Sequence, residues 1–318
     1  MERWSVSALI ALAAPVAAQQ PTLAPIPATP PAAAPDPTPS GDDLSFLTTE
    51  TRMTVPVRVA GAGPYPFIID TGAQRSVVSR QLARLLRLPL GPRVRVTAMA
   101  GSGEVDTVIV PSLAVATLPA GSIGGRAIQA PALEASHLGA PGMLGIDTLQ
   151  GHALRIDFDR DAMTVVPVAR RRHRAAADDE IVIQARSLYG QLVVTHASVA
   201  GRKVRVVLDT GTATSVGNLA LRRLLARRGK AREPAIFTSV LGQQMVGDIA
   251  VVPEMRLGSA RIRSLPVAFA DAAPFRAFGL NDRPAIMLGM DALRLFRRVD
   301  IDFANRELRL VMPRDAVS

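Results

Sequence analysis

Apolar and polar residues alternate with a period of two along much of the chain. Thr54-Val55-Pro56-Val57-Arg58-Val59 sets valine at every second position, Val94-Arg95-Val96-Thr97 repeats the alternation, and Leu192-Val193-Val194-Thr195 does so in part. Alternation puts one set of side chains on a single face of an extended strand, so these segments predict half-buried strands. Helical signals are short. Ser79 can cap a helix over residues 80–86, and Asn218 can cap one over 219–226 with Gly229 just past its end. Asp147 and Asp291 each open another short helical segment and read as N-caps. The expectation is an all-β protein with a few short helices.

The pattern occurs twice. Phe67-Ile68-Ile69-Asp70-Thr71-Gly72-Ala73 is matched by Val206-Val207-Leu208-Asp209-Thr210-Gly211-Thr212, displaced by 209 − 70 = 139 residues. Gly142-Met143-Leu144-Gly145-Ile146-Asp147 is matched by Ile286-Met287-Leu288-Gly289-Met290-Asp291, displaced by 289 − 145 = 144. Ile156-Asp157-Phe158 is matched by Ile301-Asp302-Phe303, displaced by 301 − 156 = 145. Three paired motifs in one order indicate an internal duplication. Two copies are too few for a solenoid and suggest two lobes about a pseudo-two-fold axis.

Composition narrows the chemistry. The 318 residues are enough for two domains, and 48% are hydrophobic. The net charge is +10, almost all of the positive charge being arginine. The arginines are scattered, aromatics are 4%, and no nucleic-acid motif accompanies them, so a nucleic-acid partner is not expected. There is no cysteine, and the four histidines are widely separated with no i, i+4 pair, so neither a metal nor a cofactor is expected.

Residues 1–18 read as a signal peptide: Arg3, an apolar stretch over 6–16, and small residues before a cut between Ala18 and Gln19. A Pro/Ala-rich tether follows over 19–44. The first lobe is expected over 45–169, a solvated Arg-rich linker over 170–179, and the second lobe over 180–318. Nothing after residue 20 is an apolar run long enough to span a bilayer. The expectation is an exported protein, periplasmic or secreted, monomeric with pseudo-dimeric lobes.

Each Asp-Thr-Gly follows three apolar residues and precedes a polar turn, which places Asp70 and Asp209 where a buried strand breaks into a loop. One such tripeptide is a common turn. Two at equivalent places about a two-fold axis bring the aspartates face to face if the axis passes near the two loops. Carboxyls in contact do not both ionise readily and share one proton. The charged one can take a proton from a water between them, while the protonated one can donate to a substrate carbonyl.

The chain resembles the retropepsin-like aspartic proteases of the bacterial branch. The resemblance rests on the two Asp-Thr-Gly segments, on Met143-Leu144-Gly145 with Met287-Leu288-Gly289, and on the closing segments Arg155-Ile156-Asp157-Phe158 and Asp300-Ile301-Asp302-Phe303. It covers roughly residues 50–168 and 180–312. It implies two fused retropepsin/pepsin-like β lobes, without the longer pepsin insertions, acting on a protein or peptide substrate. It makes Asp70 and Asp209 the catalytic pair. Thr71, Gly72, Ala73, Thr210, Gly211 and Thr212 would support the loops. It also implies flaps over the substrate, for which the glycine-bearing turns with Met99, Gly101 and Gly103, and with Leu241 and Gly242, are the candidates. The first candidate has no tyrosine or tryptophan, unlike pepsins. Thr212 replaces the alanine of the first copy, and its hydroxyl is expected to favour the charged form of Asp209, making Asp209 the base and Asp70 the acid.

Other readings stay open. A non-catalytic peptide-binding or assembly module on the same fold is the main one. Residues 208–215 also resemble the phosphate loop of sugar kinases and actin-like ATPases, although alternating β and α segments and a second Gly-Gly loop are missing. A two-carboxylate glycosidase is disfavoured by scarce aromatics, since Trp4 is the one tryptophan.

Overall fold

The computed structural model describes residues 3–5, 11–12, 53–116, 118, 123, 127–168, 176–188, 190–226 and 233–313. The Pro/Ala-rich tether 19–44, Gly229, residues 170–175 of the Arg-rich linker, and all of the expected signal peptide except 3–5 and 11–12 lie outside them.

The alternation becomes strand pairing. In Thr54–Val59 the burial alternates as written in the sequence, with Val55, Val57 and Val59 inward. This strand pairs antiparallel with Ala62–Ile69, which runs into Asp70. On its other side Ala62–Ile69 takes the short strand Gly142–Leu144 in parallel, with Met143 opposite Ile68. Phe67, Ile68 and Ile69 are all buried although successive side chains point to opposite faces, so this end of the strand is covered on both faces. The second copy repeats the arrangement. Gln191–Val199 pairs antiparallel with Arg202–Leu208, and Ala285–Leu288 pairs with it in parallel, Met287 opposite Val207. Each arrangement belongs to a nine-stranded sheet, one per lobe.

A five-stranded sheet joins the lobes, in the order Ala162–Pro167, His152–Asp157, Arg298–Asp302, Glu307–Val311, Glu180–Gln184. The closing strands of the two copies, His152–Asp157 and Arg298–Asp302, pair antiparallel with Arg155 opposite Asp300. These two residues are equivalents, since 300 − 155 = 145. The register is symmetric about them, Leu154 facing Ile301 and Ile156 facing Val299. The pseudo-two-fold axis therefore passes through this pair. Leu154, Ile156, Val299, Ile301, Leu308 and Leu310 are buried here and continue the core across the junction.

The two anticipated helices are present. Arg80–Leu85 is capped by Ser79 Oγ, which accepts from Leu82 N at 3.1 Å. Leu219–Ala226 is capped by Asn218 Oδ1, which accepts from Leu221 N at 2.8 Å. The N-cap reading of Asp147 and Asp291 is corrected. The short helices are Ile146–Leu149 and Met290–Leu293, and Gly145 and Gly289 stand at their N-caps. The aspartates lie inside the first turn, because their carboxylates are engaged by another loop.

The sheets gain two short N-terminal strands. Arg3–Ser5 pairs in parallel with Arg95–Thr97, and Ala11–Leu12 pairs antiparallel with Phe237–Thr238. The architecture is thus an all-β pair of lobes about a pseudo-two-fold axis. Among the described residues no helix is long and apolar enough to cross a membrane.

Candidate active site

Strands Ala62–Ile69 and Arg202–Leu208 end in the two Asp-Thr-Gly loops, and the loops meet on the pseudo-axis. Thr71 Oγ1 donates to Leu208 O at 2.8 Å and accepts from Thr210 N at 3.1 Å. Thr210 Oγ1 donates to Ile69 O at 2.7 Å and accepts from Thr71 N at 3.2 Å. Each threonine hydroxyl thus spends its proton and a lone pair on the other loop. Four buried hydrogen bonds fix the separation of residues 139 apart in sequence.

That separation brings the aspartates together. Asp70 and Asp209 are fully buried, and their carboxyls lie within hydrogen-bonding reach of each other. In each, Oδ1 accepts from the glycine two residues on: Gly72 N at 2.7 Å and Gly211 N at 3.1 Å. Each Oδ2 is buried and receives no hydrogen bond. A Cβ on Gly211 would overlap the Asp70 carboxyl, so the bare glycine admits Asp70 against the second loop. Burial raises both carboxyls above the ordinary aspartate range. Asp209 is pushed up to about 7, the backbone N–H groups of Gly211 and Thr212 opposing the rise. Asp70 is pushed well above its usual value by burial and then by the charge of Asp209. Two carboxyls in contact in an enclosed site are satisfied by a proton held between them.

A second layer holds the loops. Asp147 Oδ1 accepts from Ser76 N at 2.9 Å and from Ser76 Oγ at 2.8 Å. Asp291 accepts from Ser215 N at 3.0 Å and from Ser215 Oγ at 2.7 Å. The serine oxygens then accept from Gly145 N and Gly289 N, each at 3.0 Å. Burial raises Asp147 and Asp291 as well, and the serine donors oppose it. A Cβ on Gly145 would meet Arg75 backbone at 2.5–2.9 Å, and one on Gly289 would meet Thr214 C at 2.8 Å, so these glycines let the loops pack. Gln191 adds a cross-lobe tie, its Nε2 donating to Gly72 O. The sequence reading left Gln191 out, and a single buried glutamine at a strand start carries no motif. Ser76, Ser215, Asp147 and Asp291 were readable as repeated positions, but their partnership needs the fold.

Thr212 does not act as anticipated. Its hydroxyl donates to Thr214 O at 2.5 Å, within its own loop. The turn brings a carbonyl closer to that hydroxyl than either carboxylate, and the group that reaches Asp209 is the Thr212 backbone N–H. Ala73 is buried, and its N–H bonds to Asp70 O at 3.2 Å.

Two hairpins, one from each lobe, meet at their tips. In the first, strands Leu90–Ala98 and Gly101–Val110 turn through Met99 and Ala100, with Gly101 at φ +153°. In the second, strands Glu233–Thr238 and Gln244–Leu257 turn through residues 239–243, with Gly242 at φ +75°. Each tip is buried in the opposite lobe. Met99 packs with Phe237, Ala272 and Phe275, and its carbonyl accepts from Ala273 N at 3.0 Å. Val240 packs with Ile68, Val77, Leu138 and Met143, and Leu241 leans on the same cluster. The tips also touch: Gln243 Nε2 donates to Ser102 O at 3.5 Å, and Gly103 lies beside Leu241. Among the described residues no group of three His, Asp or Glu side chains converges as metal ligands would.

The sequence profile described as "Aspartyl protease" matches residues 55–148 and again 195–292. Among solved structures, a retropepsin-like aspartic protease from Rickettsia conorii is 21% identical, with 41% of this chain and 89% of that chain covered and a TM-score of 0.28. Basic 7S globulin from soybean is 12% identical, with 82% and 96% covered and a TM-score of 0.37. No curated protein matches. With the profile matched once in each half, and over more than half of its length, the chain belongs to the aspartyl protease family as two fused retropepsin-like copies.

Proposed function

We propose that this protein is an aspartic endopeptidase in which Asp70 and Asp209 activate one water between them. The observation that carries this reading is the pair of buried, unpartnered Oδ2 atoms on carboxyls within reach of each other. Once Asp209 has ionised, the pair retains one proton, held on Asp70, whose carboxyl is raised by burial and by the neighbouring charge. Charged Asp209 takes a proton from the water as its oxygen attacks the scissile carbonyl carbon. Asp70 gives its proton to the carbonyl oxygen, and a neutral tetrahedral gem-diol results. The proton on Asp209 then passes to the amide nitrogen. As the C–N bond breaks, a gem-diol hydroxyl returns its proton to Asp70. No bond forms between enzyme and substrate.

The substrate is an extended polypeptide, and the two hairpins are its flaps. They must lift before a peptide enters, because both carboxyls are fully buried. Digestion of a peptide library across pH tests the proposal. Cleavage is expected in the parent protein, blocked by a statine peptide, and lost in Asp70→Asn and Asp209→Asn with peptide binding retained. No cleavage at any pH would remove the catalytic reading.

That same enclosure favours a second reading, a non-catalytic peptide-binding or assembly module. Peptide binding without cleavage by the parent protein would identify it. For the location we take the leader-like residues 1–18 as the guide and propose export, with the folded lobes periplasmic or secreted.

A further inference from the structure

The second lobe carries a cavity of about 590 Å³ far from the aspartates, and it is cationic. Arg186, Lys203, Arg205, Arg256 and Arg283 line it, and no acidic residue does. Lys203 and Arg205 sit six and four residues before Asp209 on the strand Arg202–Leu208. At about 3.3 Å per residue they are roughly 13–20 Å from it. The cavity has a structural origin. Strand Gln191–Val199 has a bulge between Val194 and Ala197, beyond which it also pairs with strand Gln244–Leu257. The extra residue bends the strand and opens a corner between sheet partners. His196 and Ser198 supply polar groups to that corner.

The duplication provides an internal control. Displacement by 139 residues relates Lys203 and Arg205 to Pro64 and Pro66, and displacement by 144 relates Arg283 to Gly139. The first lobe builds the same strands with no charge at these three positions, so the fold does not require the cations. Nor does internal pairing account for them. Arg256 pairs with Glu254 at 3.1 Å, but Arg186, Lys203, Arg205 and Arg283 have no carboxylate at ion-pair distance among the described residues. Like charges gathered in one concavity repel each other and concentrate anions there.

We infer that this corner binds a ligand bearing several phosphate groups. Arginine forks match the oxygens of a phosphate in pairs, and the cavity has the size of a small-molecule site. The phosphates come either from a soluble polyphosphorylated molecule or from the headgroups of an anionic lipid surface.

Titration calorimetry of the full protein with inorganic tripolyphosphate, and flotation with phosphatidylcholine vesicles with or without phosphatidylglycerol, tests this. Saturable binding is expected. The Arg205→Gln/Arg283→Gln variant should bind at least about tenfold more weakly, as loss of two charge-assisted hydrogen bonds implies. A charge-matched control in the first lobe, Arg58→Gln/Arg84→Gln, should bind like the parent. Arg186→Gln, exposed and on another strand, replaces the double variant if that one fails to fold. Binding of tripolyphosphate alone assigns a soluble ligand, and phosphatidylglycerol-dependent flotation assigns the lipid. The inference is overturned by binding in neither assay, by equal loss in the control, or by a polyglutamate peptide binding as tightly as tripolyphosphate.

Discussion

Arg155 and Asp300, equivalent residues of the two copies, form an ion pair across the axis that relates them, with Arg155 Nε 3.0 Å from Asp300 Oδ1. In a symmetric dimer of one lobe, the same position would face itself, arginine on arginine or aspartate on aspartate. Fusion into one chain lets the two positions diverge to opposite charges. Asp300 also lies 3.6 Å from Arg298, and its neighbour across the sheet is Arg309, which is held by Glu180 at 3.0 Å. Asp300→Asn is expected to cost about 1 kcal/mol, because Arg155 is half exposed and solvent screens it. Asp300→Arg gathers like charges in a nearly buried position and should cost on the order of 2–3 kcal/mol. Urea denaturation of the two variants measures both, and equal costs would contradict the pairing.

Thr71 and Thr210 set the distance between the aspartates. Thr71→Val keeps the shape but removes a donor and an acceptor, leaving Leu208 O and Thr210 N without that partner. A loss of about 1–3 kcal/mol is expected, with kcat falling further than KM changes. Thr71→Ser keeps the hydroxyl and should retain most of the activity. Thermal unfolding and peptide cleavage report the two effects separately.

The raised carboxyls make stability depend on pH with a definite sign. Asp209 binds its proton up to about pH 7 when folded, whereas an unfolded aspartate releases it near 3.9. Between those values the folded state holds more protons, so stability falls as pH rises, at about 1.4 kcal/mol per pH unit per proton. The contribution is complete below the unfolded value and lost as pH passes through the folded one. Asp209→Asn removes one of the two raised carboxyls and should make the profile shallower between about pH 4 and 7, Asp70 keeping the share that its own burial gives. Denaturation midpoints across that range decide it; a parent protein that gains stability from the Asp209 region on going to neutral pH would refute the burial account.

Met99 latches the first hairpin onto the second lobe. Met99→Ala leaves a hole beside Phe237 and Phe275 and should weaken the latch by about 2–4 kcal/mol. The closed state then becomes less favoured, and a statine peptide should associate faster, as stopped-flow measurement would show. Val240→Ala should act in the same direction from the other side, through the cluster around Met143. Unchanged association in both variants would mean that the hairpins open without leaving these pockets.

The proposed export predicts a mass that can be checked. If residues 1–18 are removed, the mature chain begins at Gln19, and intact-mass measurement of the periplasmic or culture fraction should find that species. The strand edges at Arg95–Thr97 and Phe237–Thr238 then lose the partners that Arg3–Ser5 and Ala11–Leu12 provide in the full chain. The full chain should accordingly cleave peptides more slowly than the chain starting at Gln19.

The sequence alone determined the duplication, the strand-rich class and the positions of Asp70 and Asp209 at strand ends. It also determined the two helix caps at Ser79 and Asn218. These features are carried by neighbours in the chain: alternation sets which face is buried, and a side chain three residues away caps a helix turn. Local signals misplaced Asp147, Asp291 and Thr212, because an acidic residue opening a helix and a hydroxyl beside a carboxylate each have a local and a distant partner available. Only the tertiary structure decided which partner won. It alone put Arg155 against Asp300 on the axis, exchanged Met99 and Val240 between lobes, set Gln191 against Gly72, and gathered the cations of the second lobe around one bulge. Most of those contacts join residues separated by scores of positions. Their energy depends on a distance that the chain acquires once both lobes have closed on a common core.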